Sequence, residues 1–118
     1  MSDFITKKCV PCEGGTKPLP RAKVEEYLAV VPGWRAGTDF KKIEREFVFK
    51  DFVSAVGFFN KLATLAESEG HHPDLTLYSW NHLKVELSTH SIGGLSDNDF
   101  IVAAKANQLW GVQPSAKA

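Results

Sequence analysis

The sequence predicts an α+β fold, a four-stranded antiparallel sheet with helices packed on one face, in the order α-β-β-α-β-β-α. Three observations lead there. Apolar residues recur at helical spacing in three stretches and alternate every second residue in the stretches between them. The strands fall into two pairs, each joined by a short turn, and strands joined that way run antiparallel. The helices stand before, between and after the hairpins, so all of them can cover the same face.

The first helix is expected from about Pro20 to Val31, where Val24, Tyr27, Leu28 and Val31 follow the i, i+3, i+4, i+7 pattern and Pro32-Gly33 ends it. Trp34 to Ala36 begins a hairpin that turns at Gly37-Thr38-Asp39. Its second strand, Lys42 to Phe49, carries Ile43, Phe47 and Phe49 on one face, and Arg45 interrupts that face, which places it near a sheet edge. A longer helix spans about Asp51 to Ser68. Phe52, Ala55, Val56, Phe59, Ala63 and Ala66 mark its stripe, broadened by Phe58, Leu62 and Leu65. That stripe is wider than one sheet contact requires, so another helix or a second subunit is expected to cover the remainder. Leu75 and Leu77 alternate in the third strand, and Leu83, Val85 and Leu87 in the fourth, with Ser79-Trp80-Asn81 as the turn. The last helix opens at Ser96, where Ser96-Asp97-Asn98-Asp99 is a capping box with aspartate for glutamate, and runs to about Trp110 with Phe100, Ala103 and Ala104 inward.

With 118 residues, the chain suits one domain. We expect a flexible N-terminal tail over residues 1–18, a domain over 19–110 and a short C-terminal tail over 111–118. Fourteen basic residues balance fourteen acidic ones, which argues against a nucleic-acid binder. No apolar run approaches the roughly 20 residues that cross a bilayer, so no membrane association is expected. The start, MSDFITKKC, lacks the apolar core of a signal peptide, and a cytoplasmic location is the expectation.

Both cysteines lie in Cys9-Val10-Pro11-Cys12. The motif reads as a structural element of the N-terminus, half a zinc site or a redox pair. A redox pair wants a strand before it and a helix after it, and here a Gly/Pro loop follows. A zinc site needs two further ligands, from the histidines or another copy of the chain.

The chemistry-bearing residues gather at one end of the sheet. His71-His72-Pro73 follows the long helix where the chain enters the third strand, and His90 stands at the exit of the fourth. In an antiparallel pair those two ends are neighbours. Asp99 begins the last helix after a Gly93-Gly94 loop that can fold back. Histidine titrates near neutral pH, so such a cluster suits general acid–base work. No HxH or HExxH metal spacing is present, Ser88 and Ser91 flank His90 too closely for a nucleophilic pair, and Gly93-Gly94 lacks the rest of a phosphate loop. His82 has nothing beside it that suggests a role.

The run Glu67-Ser68-Glu69-Gly70-His71-His72-Pro73, then Tyr78, Leu87-Ser88-Thr89-His90, Gly94-Leu95-Ser96 and Asp99, resembles pterin-4a-carbinolamine dehydratase over roughly Leu19 to Leu109. The resemblance implies a hydro-lyase that converts 4a-hydroxytetrahydropterin to quinonoid dihydropterin and water. Such an enzyme recycles the cofactor of aromatic amino-acid hydroxylases and uses no metal or organic cofactor. It also implies assembly as a homodimer or homotetramer. Carried onto this chain, it makes His71, His72, His90 and Asp99 catalytic and Glu67, Pro73, Thr89, Ser91 and Ile92 substrate-binding. His71 and His90 then act as acid/base on the hydroxyl from opposite faces of the ring, in either order, while His72 orients the pterin and Asp99 fixes a histidine tautomer. The aromatic residue expected soon after HHP is replaced by Leu75-Thr76-Leu77. The alternative is a dehydratase-like binding or assembly partner without catalysis.

Overall fold

The computed structural model describes residues 4–11 and 16–111, so Cys12 and the end of the chain after Gly111 lie outside the described residues. A short 3-10 turn at Phe4–Thr6 precedes α1 (Arg21–Leu28), β1 (Arg35–Ala36), β2 (Ile43–Val48), α2 (Phe52–Glu69), β3 (Asp74–Tyr78) and β4 (His82–Leu87). A second 3-10 turn at His90–Ile92 then leads into α3 (Asp97–Gly111). The sheet is antiparallel throughout, in the order β1-β2-β4-β3. The expected α+β architecture and element order are therefore what the chain forms.

Strand alternation decides which face meets the helices. Leu83, Val85 and Leu87 are buried on β4 while His82, Lys84 and Glu86 face the open side. Ile43 and Phe47 join them from the neighbouring β2. Phe47 packs 5.0 Å from both Phe58 of α2 and Trp110 of α3, centroid to centroid, which ties the sheet to both helices.

Arg45 corrects one expectation. Its strand is internal, between β1 and β4. Pairing with β1 ends at Arg35↔Glu44, however, so the backbone beside Arg45 has no strand neighbour on that side. The guanidinium lies over the Phe47 ring at 4.5 Å and donates to the Pro32 carbonyl and to Asn107 Oδ1. The charge thereby leaves the core face while the stem stays on it.

The Asp51 side chain caps α2 by accepting from the Ser54 N–H at 2.7 Å. The buried stripe of α2 is Ala55, Phe58, Leu62 and Ala66. The row predicted as its centre, through Phe52, Phe59 and Ala63, lies at its margin, and Phe52 and Val53 are exposed. Packing of α3 against α2 covers part of the surplus apolar surface.

The N-terminal segment also departs from expectation. Residues 4–11 lie against the body of the domain. The Phe4 ring is buried edge-on to Tyr27 at 5.0 Å and stacked on Phe100 at 6.0 Å.

Candidate active site

Two turns bring the site together. At the end of α2, Gly70 adopts the left-handed conformation (φ 67°) and its N–H caps the Ala66 carbonyl. That reversal sends His71 and His72 off the helix axis toward β3. At the end of β4, Thr89 and Gly94 form an isolated antiparallel bridge that closes the His90–Ile92 turn into a loop. A side chain at Gly94 would meet Pro18 at 2.7 Å, so glycine is required for this close approach. The loop delivers the chain to Ser96, the N-cap of α3.

The capping box forms in both directions. Ser96 Oγ accepts from the Asn98 N–H at 3.2 Å, and Asp99 Oδ2 accepts from the Ser96 N–H at 2.9 Å. Asp99 is completely buried and has further partners. Thr89 Oγ1 donates to Oδ2 at 2.8 Å, and His71 Nε2 lies 2.7 Å from Oδ1. Every backbone and hydroxyl partner of the carboxylate donates, so the consistent assignment has His71 Nε2–H donating too. The imidazole is then held with Nδ1 as the basic nitrogen. His71 keeps only 12% of its side chain exposed.

The second histidine has a weaker support. His72 Nε2 lies 2.5 Å from Glu67 Oε2, but the two side chains are 61% and 78% exposed, so water competes for both.

A cleft of about 290 Å³ opens over these groups. It brings together His71, His72, Thr89, His90 and Ser91 of the predicted residues. Asp99 stands behind His71, and Glu67 reaches the site through His72. Pro73 and Ile92 are not among the cleft's lining residues. The cleft also has a wall absent from the sequence reading: Val10 and Pro11 from the N-terminal segment, with Asn98 beside them. No local pattern marks that wall, because the Val10–Asn98 contact joins residues 88 positions apart. Among the described residues no group of three or more histidine, cysteine or acidic side chains is placed to hold a metal ion.

The arrangement can deliver and accept protons on a small polar ring: imidazoles line the cleft, and a buried carboxylate fixes one of them. Comparisons with known proteins place the chain in a family. The family model for pterin 4 alpha carbinolamine dehydratase matches residues 17–109. A chain of Azoarcus sp. (strain BH72), named as a candidate pterin-4-alpha-carbinolamine dehydratase, is 44% identical over 94% of each chain. The mitochondrial pterin-4-alpha-carbinolamine dehydratase 2 of Arabidopsis thaliana is 45% identical over 92% of this chain and 60% of its own length. Among solved structures, a transcriptional coactivator/pterin dehydratase from Brucella melitensis superposes with a TM-score of 0.74 at 34% identity, covering 79% of this chain and 98% of that one. A pterin dehydratase-like RuBisCO assembly factor of the alpha-carboxysome shares the fold, with a TM-score of 0.56 at 20% identity over 65% of this chain and 88% of that one. By sequence and by fold, this chain belongs to the pterin 4 alpha carbinolamine dehydratase family.

Proposed function

We propose that the chain dehydrates a 4a-hydroxytetrahydropterin to the quinonoid dihydropterin and water, with His71 and His90 sharing the acid–base work. The observation that carries this reading is the buried Asp99–His71 pair opening into the same cleft as His72 and His90. In the reaction the C4a–O bond breaks, a ring nitrogen supplies the electron pair of the new C=N bond, and that nitrogen loses its proton. The leaving hydroxyl is a poor leaving group until an acid protonates it. Near pH 7 an imidazole serves either as the acid or as the base. His71, with Nδ1 left toward the cleft, and His90, on the loop opposite, are the two groups assigned to these transfers. His72 is assigned to orient the pterin, with Thr89 and Ser91 along its edge.

The reading extends to pterin recycling beside an aromatic amino-acid hydroxylase and to a homodimer or homotetramer. Exposed Phe52, Val53 and Trp80 and the open edge of β3 support self-association. The same surfaces favour a second reading, a partner-binding role, which the names of the two structural neighbours also raise. The test is the absorbance decay of a freshly generated 4a-hydroxytetrahydropterin. Decay faster with the protein than without it is expected, and equal decay overturns the catalytic reading.

A further inference from the structure

Residues 4–11 form an arm with a defined path that the proton-transfer chemistry does not use. After the buried Phe4, the Cys9 N–H donates to Glu69 Oε1 at 2.8 Å, and the other Glu69 oxygen pairs with Lys105. The Cys9 thiol lies 3.6 Å from the Asn98 carbonyl oxygen, placed to donate to it. Burial, then the Glu69 charge, push that thiol up to about 12, so it stays protonated. The next residue is held from both sides. The Val10 N–H donates to Asn98 Oδ1 at 3.1 Å, and Asn98 Nδ2 donates to the Val10 carbonyl at 2.6 Å. This reciprocal pair fixes the amide's orientation and mimics the bonding of one strand to another.

Beyond this clamp, Val10 and Pro11 reach the cleft. Among its lining residues these two have wholly hydrocarbon side chains; the others are histidine, serine, threonine, asparagine and glycine. A heteroaromatic ligand needs an apolar surface for its ring face as well as polar groups for its edge. Val10 nevertheless stands 64% exposed, a large aliphatic side chain with little to cover it. Asn98 also adjoins Asp99 in the first turn of α3, so the same turn places the arm and the catalytic histidine.

We propose that Val10 and Pro11 are the apolar wall of the pterin site and that Asn98 is the positioning residue that holds them there. The arm then sets substrate affinity, and the first turn of α3 sets the register between that wall and His71. This deepens the dehydratase reading and rests on it.

Two variants of the full chain test it, Asn98→Ala and the double substitution Val10→Gly/Pro11→Gly. The double substitution trims the wall and leaves the backbone groups that Asn98 binds. Both are expected to raise KM for 4a-hydroxytetrahydropterin about five- to tenfold, the scale of a lost apolar ring contact, with kcat within about twofold. A purely structural arm would lower the melting temperature and leave KM unchanged; that result overturns the proposal. If Asn98→Ala fails to fold, the double variant decides alone. Affinity for a stable 7,8-dihydropterin, measured by titration calorimetry, separates the two claims. Wild-type binding without dehydration, weakened in the double variant, removes the catalytic reading and keeps the wall. Equal affinity of wild type and double variant, or no binding by either, removes the wall.

Discussion

Asp99→Asn is the most informative single substitution, because the site's geometry dictates how it must fail. The carboxylate accepts on Oδ2 from the Ser96 N–H (2.9 Å) and Thr89 Oγ1 (2.8 Å), and on Oδ1 from His71 Nε2 (2.7 Å). An asparagine has one acceptor oxygen and one donor NH2. The Ser96 N–H belongs to the helix cap and cannot rotate, so an NH2 facing it would leave two donors 2.9 Å apart. The oxygen therefore stays toward Ser96 and the NH2 faces His71. Nε2 must then accept, the ring proton moves to Nδ1, and the nitrogen facing the cleft is no longer a base. Losing the charged acceptor costs about 1.5–3 kcal/mol of stability. Losing a correctly protonated acid–base group costs about 10²- to 10⁴-fold in kcat. Urea unfolding and the carbinolamine decay assay read the two effects. A folded Asp99→Asn protein with kcat within about threefold of wild type would refute the claim that Asp99 sets the working tautomer of His71.

Two further outcomes follow from the same structure. Glu67→Gln is expected to change kcat/KM by less than about fivefold, because an exposed pair such as His72–Glu67 is worth at most about 1 kcal/mol; a loss of a hundredfold in the decay assay would contradict that weighting. Burial raises the Glu69 carboxyl, but the Cys9 N–H and Lys105 outweigh it and hold the group below its ordinary 4.5. A carboxyl lowered in the folded state adds stability that is complete above 4.5 and is lost as pH falls through the lowered value. The melting-temperature penalty of Glu69→Gln should therefore be largest near neutral pH and shrink below 4.5, and an equal penalty at both ends would show that the charge does not hold the arm.

Periodicity carries the fold because each element has a partner that demands it. Leu83, Val85 and Leu87 alternate and are buried as an alternating row. Ser96 and Asp99 form the capping box their spacing predicts. The clustering of His71, His72 and His90 was legible for a topological reason, since the entry to β3 and the exit of β4 must be neighbours once the hairpin is antiparallel. Other features depend on contacts distant in sequence, which local pattern cannot encode. Arg45 looks like a misplaced charge until Pro32 and Asn107 are seen to receive it. The buried stripe of α2 is offset from the row its periodicity predicts because α3 shares its burial. The arm reads as a tail in the sequence because its anchors, Glu69 and Asn98, lie 60 and 88 residues away along the chain.

In the proposed function, proton transfer by His71 and His90 accelerates loss of the 4a-hydroxyl. Stopped-flow decay of 4a-hydroxytetrahydropterin with wild type and with His71→Ala/His90→Ala tests it most directly. Strong acceleration is expected from wild type and, from a double variant that still folds, decay at the uncatalysed rate. Acceleration by the double variant equal to that of wild type would contradict it.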